Sequence, residues 1–209
     1  MKLLAATRSA HKLREIRELL ADVPGLELLG LHEAGVPYDP HEETLEPWPT
    51  FEENALSKAR WFHARSGLPT VADDSGLEVE ALAGAPGVRS KRFAAVLDEV
   101  EGEARDRANN RHLLSLLGAV PGAGRRARYV CALALVEGKR EPLLLRGEAE
   151  GVILETPRGE GGFGYDPLFL DPELGRSFAE LTRQEKNARS HRGRAFRALA
   201  ERLRGRAGA

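Results

Sequence analysis

Three features of the 209-residue sequence predict a single mixed α/β domain. A short apolar segment at the start of the chain is followed by a polar turn and then a helical pattern. Strand and helix patterns alternate further along, and two long apolar segments joined by a short turn predict a hairpin in the second half. Because no long linker and no internal repeat divide the chain, we expect one domain over residues 1–209.

The predicted strands are short segments rich in apolar residues and bounded by turn-forming residues: 2–6, 26–31, 69–73, 77–82, 129–136 and 143–154. The predicted helices carry apolar residues at spacings of three and four: 13–23, 50–66, 103–117 and 190–204. Thr50 opens the second helix, because Glu53 stands three residues later and completes a capping box. Phe196, Leu199 and Leu203 form the inward face of the last helix.

Composition and charge exclude several classes of protein. The chain is 42% hydrophobic and 30% charged, which excludes a disordered tail protein. Its one cysteine, Cys131, cannot form an intramolecular disulfide, so we expect a reducing, cytoplasmic compartment. No segment approaches a signal peptide or the roughly 20 apolar residues of a membrane span, so we expect no membrane partner. Residues 183–206 hold nine Lys and Arg against two Glu, which predicts an anionic ligand near that end.

The first candidate site is the turn between the first strand and its helix. Its residues are Thr7, Arg8, Ser9, Ala10, His11 and Lys12. Backbone N–H groups at a helix N-terminus, two hydroxyls and a lysine suit phosphate oxygens. The alternative is that Ser9 only caps the helix and Lys12 is a solvated surface residue.

The second candidate site is the acidic pair Asp73 and Asp74, which ends a predicted strand and precedes Ser75. Open α/β sheets bind ligands at such strand ends. Neighbouring carboxylates repel each other, and a hard divalent cation such as Mg²⁺ would offset the repulsion and hold a triphosphate. Glu42 and Glu43 in the preceding acidic loop are a possible further source of a carboxylate. The alternatives are an Asp-capped turn and solvated loop charges.

The third candidate site is the glycine-rich segment 159–167, which contains the pattern G-x-G-x-x-G. Dinucleotide-binding folds need a helix directly after these glycines, but here Asp166 and Pro167 interrupt and an apolar segment follows. We therefore reject that interpretation. Glycines beside Phe163 and Tyr165 instead suit close approach of the backbone to a planar base. The alternative is a loop whose aromatic residues fill the core.

The fourth candidate site brackets the predicted start of the last helix. Lys186, His191 and Arg192 lie there, and Ser190 is a good N-cap. Such cations bind phosphate or the edge of a base, and the alternative is a plain basic helix surface. Zinc-ligand spacings and serine-hydrolase motifs are absent from the sequence. The remaining acids, hydroxyls, cations and glycines favour magnesium-assisted phosphoryl or nucleotidyl chemistry.

Together these segments resemble the Ham1/RdgB family of inosine triphosphate pyrophosphatases. The resemblance covers nearly the whole chain and is carried by ATRSAHKLREI at 6–16, EET at 42–44, TFEENALSKA at 50–59, ADDSGLEVEAL at 72–82, GAPGVRSKRFA at 84–94, GGFGYDPLF at 161–169 and AELTRQEKNARSHRG at 179–193. It implies a long twisted mixed sheet flanked by helices, in two lobes with a central nucleotide cleft. It also implies a homodimer, no nucleic-acid partner, and Mg²⁺-dependent hydrolysis of ITP, dITP or XTP to the monophosphate and pyrophosphate.

The same resemblance implies roles for individual residues. Asp74 is the general base or water-orienting carboxylate and a magnesium ligand, and Asp73 and Glu42 are further ligands. The residues implied to hold the phosphates are Thr7, Ser9, Lys12 and Ser75, and the substrate-binding set also includes Arg8, Ala10 and His11. The residues implied to contact the sugar and purine are Phe163, Gly164, Tyr165, Asp166, Lys186, His191 and Arg192.

The sequence departs from the family pattern at two points. Ser9 stands where asparagine is usual, so one side-chain amide donor is missing. The segment 45–49 is longer than usual, which lengthens the path from Glu42 to the helix that begins at Thr50.

Two other functions fit parts of the sequence. A Maf-like pyrophosphatase would use the same site on other nucleotides, and it differs in its substrate profile. A non-catalytic RNA-binding module would use the basic segment 183–206 and would not need Asp74.

Overall fold

The computed structural model describes residues 1–97 and 99–207, and these residues contain five α-helices and eight β-strands. The strands are β1 (Lys2–Ala5), β2 (Glu27–Gly30), β3 (Thr70–Val79), β4 (Pro86–Gly87), β5 (Arg126–Val136), β6 (Leu143–Ile153), β7 (Phe169–Asp171) and β8 (Arg176–Ser177). The helices are α1 (Ala10–Leu20), α2 (Phe51–Ser66), α3 (Gly102–Leu117), α4 (Arg183–Arg189) and α5 (His191–Ala207). Over these described ranges, no helix combines the length and the apolar character that crossing a bilayer requires.

The strands form one sheet that contains both strand directions. Its order is β2-β1-β3-β5-β6-β7-β8, and β4 pairs with β3. β1 is parallel to β2 and β3, whereas β4 is antiparallel to β3 and β7 is antiparallel to both β6 and β8. Such a mixed sheet, accompanied by helices, confirms the predicted mixed α/β class.

The chain forms two compact units, each assembled from separate segments. Unit 1 comprises Met1–Asp74, Cys131–Gly147 and the chain from His191 onward. Unit 2 comprises Ser75–Val130 and Glu148–Ser190. Three long strands, β3, β5 and β6, therefore contribute residues to both units.

The core of unit 1 is formed by strands β1, β3 and β5 together with helices α1 and α5. Its buried members include Leu3, Val71, Leu133, Ile16 and Phe196. The inward face predicted for the last helix is confirmed, because Phe196, Leu199 and Leu203 are all buried. The predicted start of the second helix is also confirmed, since the Thr50 side chain accepts a hydrogen bond from the backbone N–H of Glu53.

The core of unit 2 contains a group of stacked and edge-packed aromatic rings. The ring centroid of Phe169 lies 4.5 Å from that of Tyr129 and 4.7 Å from that of Phe178. Tyr165 and Leu168, from the glycine-rich segment and its continuation, are buried in the same cluster. This segment is therefore tied to the core of unit 2 at its C-terminal end.

The sequence analysis set one strand boundary wrongly and missed one helix. Segments 69–73 and 77–82 were expected to be separate strands, but 70–79 is the continuous strand β3. The chain stays extended beyond Asp74 because Leu77 and Glu78 pair with β4. The separate helix α4 was not predicted, since none of its seven residues is buried and it lacks a periodic apolar face.

The glycine-rich segment is followed by turns and then by β7, and not by a helix. This order confirms that the G-x-G-x-x-G pattern does not belong to a dinucleotide-binding fold.

We predict that Gly147→Ala destabilises the protein by about 1–3 kcal/mol. A Cβ atom at Gly147 would lie 2.2 Å from the carbonyl oxygen of His191 and 2.6 Å from the nitrogen of Ala195, so β6 and α5 would have to separate. Urea unfolding measures the change. Gly205→Ala is the control, because no atom lies within 4 Å of its Cβ and the substitution should stabilise α5 slightly. Equal unfolding midpoints for Gly147→Ala and the wild type would contradict the prediction.

Candidate active site

The turn after β1 forms the N-terminus of α1, as the sequence predicted. Ser9 is the N-cap, and its Oγ accepts a hydrogen bond from the Lys12 backbone N–H at 3.3 Å. Thr7 Oγ1 accepts a hydrogen bond from the Ser9 N–H at 3.2 Å. Ser9, Ala10 and His11 are exposed, so the partial positive charge of the helix N-terminus faces solvent.

A cavity of about 250 Å³ in unit 1 lies beside this turn. Residues of the turn, Thr7 to Ala10, line one part of it, and Gly30 to Glu33 at the end of β2 line another. The ends of two parallel strands and a helix N-terminus therefore meet here, which is the usual position of an anion in an α/β sheet.

The two aspartates lie inside β3, just beyond the point where β1 stops pairing with it. The β1–β3 register ends at Ala5 opposite Val71. The sequence analysis placed Asp73 and Asp74 at the end of their own strand. They lie instead within β3, next to the end of the neighbouring strand β1. Successive side chains of a strand point to opposite faces of the sheet, so the two carboxylates have different surroundings.

Asp73 is 2% exposed and is surrounded by cations. Its Oδ2 accepts hydrogen bonds from Lys12 Nζ at 3.0 Å and from Arg192 Nη2 at 3.5 Å. Burial raises the pKa of Asp73, but the charges of Lys12, Arg192 and Lys58 outweigh burial and hold this pKa well below its usual range. Asp73 is therefore ionised throughout the physiological range.

Asp74 is 8% exposed and has a different electrostatic balance. Its Oδ2 accepts a hydrogen bond from the side-chain amide of Asn54 at 3.0 Å. Burial raises the pKa of Asp74 to about 6, the charge of Glu46 adds to this rise, and Lys58 and Lys12 oppose it. Of the two aspartates, Asp74 is therefore the one able to exchange a proton near neutral pH.

Helix α2 supplies two residues of this group that the sequence analysis did not single out. Asn54 and Lys58 are four residues apart on α2 and so share one face of the helix. Lys58 forms an ion pair with Glu46, and its pKa is affected by Asp73 and Asp74 as well as by burial. The net result is a raised pKa, so Lys58 stays charged. The i, i+4 spacing was the signal that could have identified Lys58 once Asn54 was considered.

The acidic loop before α2 contributes Glu46 to this group, whereas Glu42 is engaged elsewhere. Arg8 donates to both carboxylate oxygens of Glu42, with Nε at 2.9 Å and Nη2 at 2.6 Å. The Asp39 backbone N–H also donates to Glu42 at 3.1 Å. Glu46 instead pairs with Lys58 and acts electrostatically on both aspartates.

The donor set around Asp74 fits a hard cation only in part. Over residues 1–97 and 99–207, no group of three or more His, Cys, Asp or Glu is assembled to hold a metal ion. The buried Asp74 carboxylate suits a divalent cation, because a cation would stabilise its ionised form against the cost of burial. Besides the two aspartates, Glu46 is a further carboxylate of this region, whereas Glu42 is held by Arg8.

Unit 2 holds the glycine-rich segment and Lys186 together. The Lys186 Nζ lies 2.7 Å from Asp166 Oδ2 and 4.6 Å from the centroid of the Phe163 ring. The Phe163 N–H also donates to Asp166 Oδ2 at 2.8 Å, which closes a tight turn. Gly162 has φ +75° and a Cβ there would lie 2.1 Å from Asp166 Oδ2, so this turn requires glycine. Tyr165 is buried, whereas Phe163 is only half-buried.

The basic residues of the fourth candidate site divide between the units. Lys186 belongs to unit 2, and His191 and Arg192 begin α5 in unit 1. Arg192 is 2% exposed, and its guanidinium binds Glu15 as well as Asp73. Ser190 is the C-cap of α4, and Ser75 follows Asp74 as the first residue of unit 2.

The chain is similar to known proteins over nearly its whole length. The Ham1 family model matches residues 3–202. A dITP/XTP pyrophosphatase of Frankia alni is 49% identical over 206 residues, which cover 98% of this chain and 98% of that protein. A dITP/XTP pyrophosphatase of Thermus thermophilus is 47% identical and covers 96% of this chain and 91% of that protein. The structure of a HAM1 protein from Coxiella burnetii has a TM-score of 0.84 at 40% identity and covers 97% of this chain and 98% of that chain.

We predict that Asn54→Ala lowers the free energy of unfolding by about 1–3 kcal/mol. Besides its bond to Asp74, the Asn54 side chain accepts from the Trp48 N–H at 2.9 Å and donates to the Trp48 carbonyl at 3.2 Å, so alanine removes three hydrogen bonds. Urea unfolding at neutral pH measures the loss. The control is Gln184→Ala, which removes an exposed amide. Equal midpoints for the two variants would contradict the prediction.

Proposed function

Because the chain belongs to the Ham1 family, we propose that it hydrolyses non-canonical purine nucleoside triphosphates, dITP, ITP and XTP, to the monophosphate and pyrophosphate. The protein is a nucleoside triphosphate pyrophosphatase, a hydrolase. The observation that carries this function is the group formed by Lys12, Asp73, Asp74 and Lys58 beside the α1 N-terminus. It combines anion-binding groups with a carboxylate of raised pKa, which is what hydrolysis of a phosphoanhydride requires.

The N-terminal turn would bind the triphosphate. Its exposed backbone N–H groups and the hydroxyls of Thr7 and Ser9 offer hydrogen bonds to phosphate oxygens, and Lys12 adds charge. We assign Ser75 to the same phosphates, as the residue that follows Asp74. Arg8, Ala10 and His11 complete the turn, with Arg8 held in place by Glu42.

We assign a magnesium ion to the carboxylates of this region, with Asp74 and Glu46 as its protein ligands. Asp73 would act on the ion through its charge, because Lys12 and Arg192 already occupy Asp73 Oδ2. Glu42, also considered as a ligand from the sequence, would instead orient Arg8. When bound, Mg²⁺ supplies charge neutralisation for phosphate oxygens and lowers the pKa of water.

Asp74 would accept a proton from the attacking water. The water oxygen bonds to the α-phosphorus, the bond from that phosphorus to the bridging oxygen breaks, and pyrophosphate leaves. Without a bound cation the pKa of Asp74 is about 6, which makes it a better base than an exposed aspartate while leaving it largely ionised at pH 7, and a bound cation would lower this pKa. Lys12 and Lys58 would offset the charge that develops on the leaving oxygens.

The glycine-rich segment and Lys186 would contact the purine. Inosine and xanthosine carry a carbonyl at the six-position, whereas adenosine carries an amino group. The Lys186 ammonium, which also pairs with Asp166, can donate to the carbonyl but not to an amino group, and loss of that hydrogen bond would cost about 1–3 kcal/mol. Phe163 offers its ring to the base, and the buried Tyr165 and Asp166 would shape the segment. Arg192 would act mainly by holding Asp73, since its guanidinium already binds two carboxylates.

We further propose that residues 1–209 act as one domain, in a cytoplasmic homodimer without a nucleic-acid or membrane partner. Cys131 is a buried free thiol, which supports a reducing compartment. Three of the nine basic residues in segment 183–206, Lys186, Arg189 and Arg192, pair with carboxylates of the protein, which makes them less available to RNA. The homodimer rests on the family resemblance.

We predict that pyrophosphate is released from dITP, ITP and XTP in the presence of Mg²⁺, that EDTA abolishes the release, and that ATP and dUTP are poor substrates. Asp74→Asn should lower kcat about 100-fold or more without lowering the unfolding midpoint, because it removes only a charge whose burial is unfavourable. This variant also controls for contaminating hydrolases. A flat substrate profile, or a preference for dUTP, would argue for the Maf-like alternative, and wild-type turnover by Asp74→Asn would exclude this residue as the base.

We predict that Glu46→Gln raises the Mg²⁺ concentration needed for half-maximal activity about tenfold, because one carboxylate ligand is lost. Glu42→Gln is the matched control and should change this concentration by less than about twofold, since its amide oxygen still accepts from Arg8. Magnesium titrations of activity measure both variants. The reverse order of effects would restore Glu42 as the ligand.

A further inference from the structure

Helix α3 holds both polar backbone groups of Gly164 with two side chains. The Gly164 N–H donates to Asp106 Oδ2 at 2.7 Å, and the Gly164 carbonyl accepts from Asn110 Nδ2 at 3.0 Å. Asp106 and Asn110 are four residues apart, so they lie on one face of α3. We name this pair the α3 clamp. None of the roles derived from the sequence includes it.

The clamp acts where the glycine-rich segment is least constrained by its own conformation. Gly164 has φ +63°, and no atom lies within 4 Å of the position of a Cβ there. A glycine in an open position has the widest choice of backbone conformations and loses the most freedom on ordering. Two hydrogen bonds from a helix therefore select one conformation at this residue.

Other contacts fix the residues on either side of Gly164. Phe163 is bonded through its N–H to Asp166, which also binds Lys186. The Tyr165 hydroxyl donates to the Ser90 carbonyl at 2.8 Å. The clamp is thus the link between the half of the segment that carries Phe163 and the half anchored in the core by Tyr165.

The same helix also fixes the segment that receives Tyr165. Asn109, the neighbour of Asn110, accepts from the Ala94 N–H at 2.9 Å and donates to the carbonyls of Ser90 and Lys91 at 3.3 and 3.1 Å. Residues 106–110 of α3 therefore hold Gly164 directly and, through Asn109, the segment that Tyr165 contacts. A rigid helix is a better support for a binding segment than a loop would be.

The orientation of the Asn110 side chain indicates that its hydrogen bond to the Gly164 carbonyl determines where this side chain lies. Asn110 Oδ1 is buried and has no hydrogen-bond partner among the residues that the structure describes. A buried acceptor without a partner lowers stability, so a residue placed only for stability would be apolar here. The residue is instead an asparagine, and its Nδ2 donates to the Gly164 carbonyl.

We propose that Asp106 and Asn110 are positioning residues for recognition of the purine. They do not touch the nucleotide. They fix the Gly164 peptide so that Phe163 and the Asp166–Lys186 pair are held in the binding conformation before the base arrives. This inference rests on the function proposed above. Apart from Ser75, the residues assigned to phosphate chemistry belong to unit 1, so loss of the clamp affects KM and leaves kcat nearly unchanged.

The test compares Asp106→Ala, Asn110→Ala and the double variant with Glu103→Ala, which removes an exposed carboxylate from the same helix. Each single variant should raise KM for ITP about tenfold and change kcat by less than about twofold. The double variant should fall well short of the product of the two effects, since both side chains hold one peptide unit. Asp106→Asn should retain most of the wild-type KM, because its amide oxygen still accepts from the Gly164 N–H.

Amide hydrogen exchange provides a readout that does not depend on activity. In both single alanine variants the exchange of residues 161–167 should accelerate at least about tenfold, while exchange in β3 and β5 and the exchange of Glu103→Ala stay at wild-type rates. Unchanged exchange and KM in the alanine variants would overturn the proposal. So would faster exchange with an unchanged KM, or a fall in kcat at constant KM. If an alanine variant loses amide-exchange protection throughout the protein, Asp106→Asn is used for the test instead. A KM of Asp106→Asn equal to that of the alanine variant would also overturn the proposal.

The two proposals fail in different ways. A wild-type protein that hydrolyses none of the purine triphosphates refutes the proposed function, whatever the exchange rates are. A wild-type protein that hydrolyses ITP, with variants that match it in KM and exchange, refutes only the clamp.

Discussion

The burial of the Asp73 carboxylate is the constraint on which the rest of unit 1 depends. A buried charge must be paired, and Asp73 is paired with Lys12 from α1 and Arg192 from α5. Three elements that are far apart in the sequence therefore meet at one carboxylate. Removal of either partner would leave the buried charge less well compensated, so the arrangement favours the observed packing of α1 and α5 against β3.

The alternation of a β-strand gives the two neighbouring aspartates different chemistry. Asp73 lies among cations and stays ionised, whereas burial raises the pKa of Asp74 to about 6. A pair of carboxylates whose pKa values are driven apart by their surroundings is typical of sites in which one group is structural and the other transfers a proton. The same backbone geometry thus gives two consecutive carboxylates opposite pKa shifts.

In unit 2, side chains from outside the glycine-rich segment hold this segment in one conformation. The segment needs glycine because Gly162 leaves no room for a Cβ beside Asp166, and glycine brings conformational freedom that binding would have to remove. Side chains from α3, the aromatic core and Lys186 each restrain one part of it. The segment then loses its conformational entropy during folding.

Features decided by local interactions were determined by the sequence alone. The capping box at Thr50, the apolar face of α5 and the rejection of a helix after the glycines each depend on residues within one or two turns of each other. The mixed α/β class was likewise predicted from local strand and helix patterns, and the candidate residues from short motifs. Pairing between distant segments was decided only by the tertiary structure: β3 continues past Asp74 because β4 pairs with it, and Glu46 joins Lys58 while Arg8 takes Glu42. The sequence lists these charges, but the folded chain determines which of them meet, because ion pairing and burial depend on distance in space and not on separation along the chain.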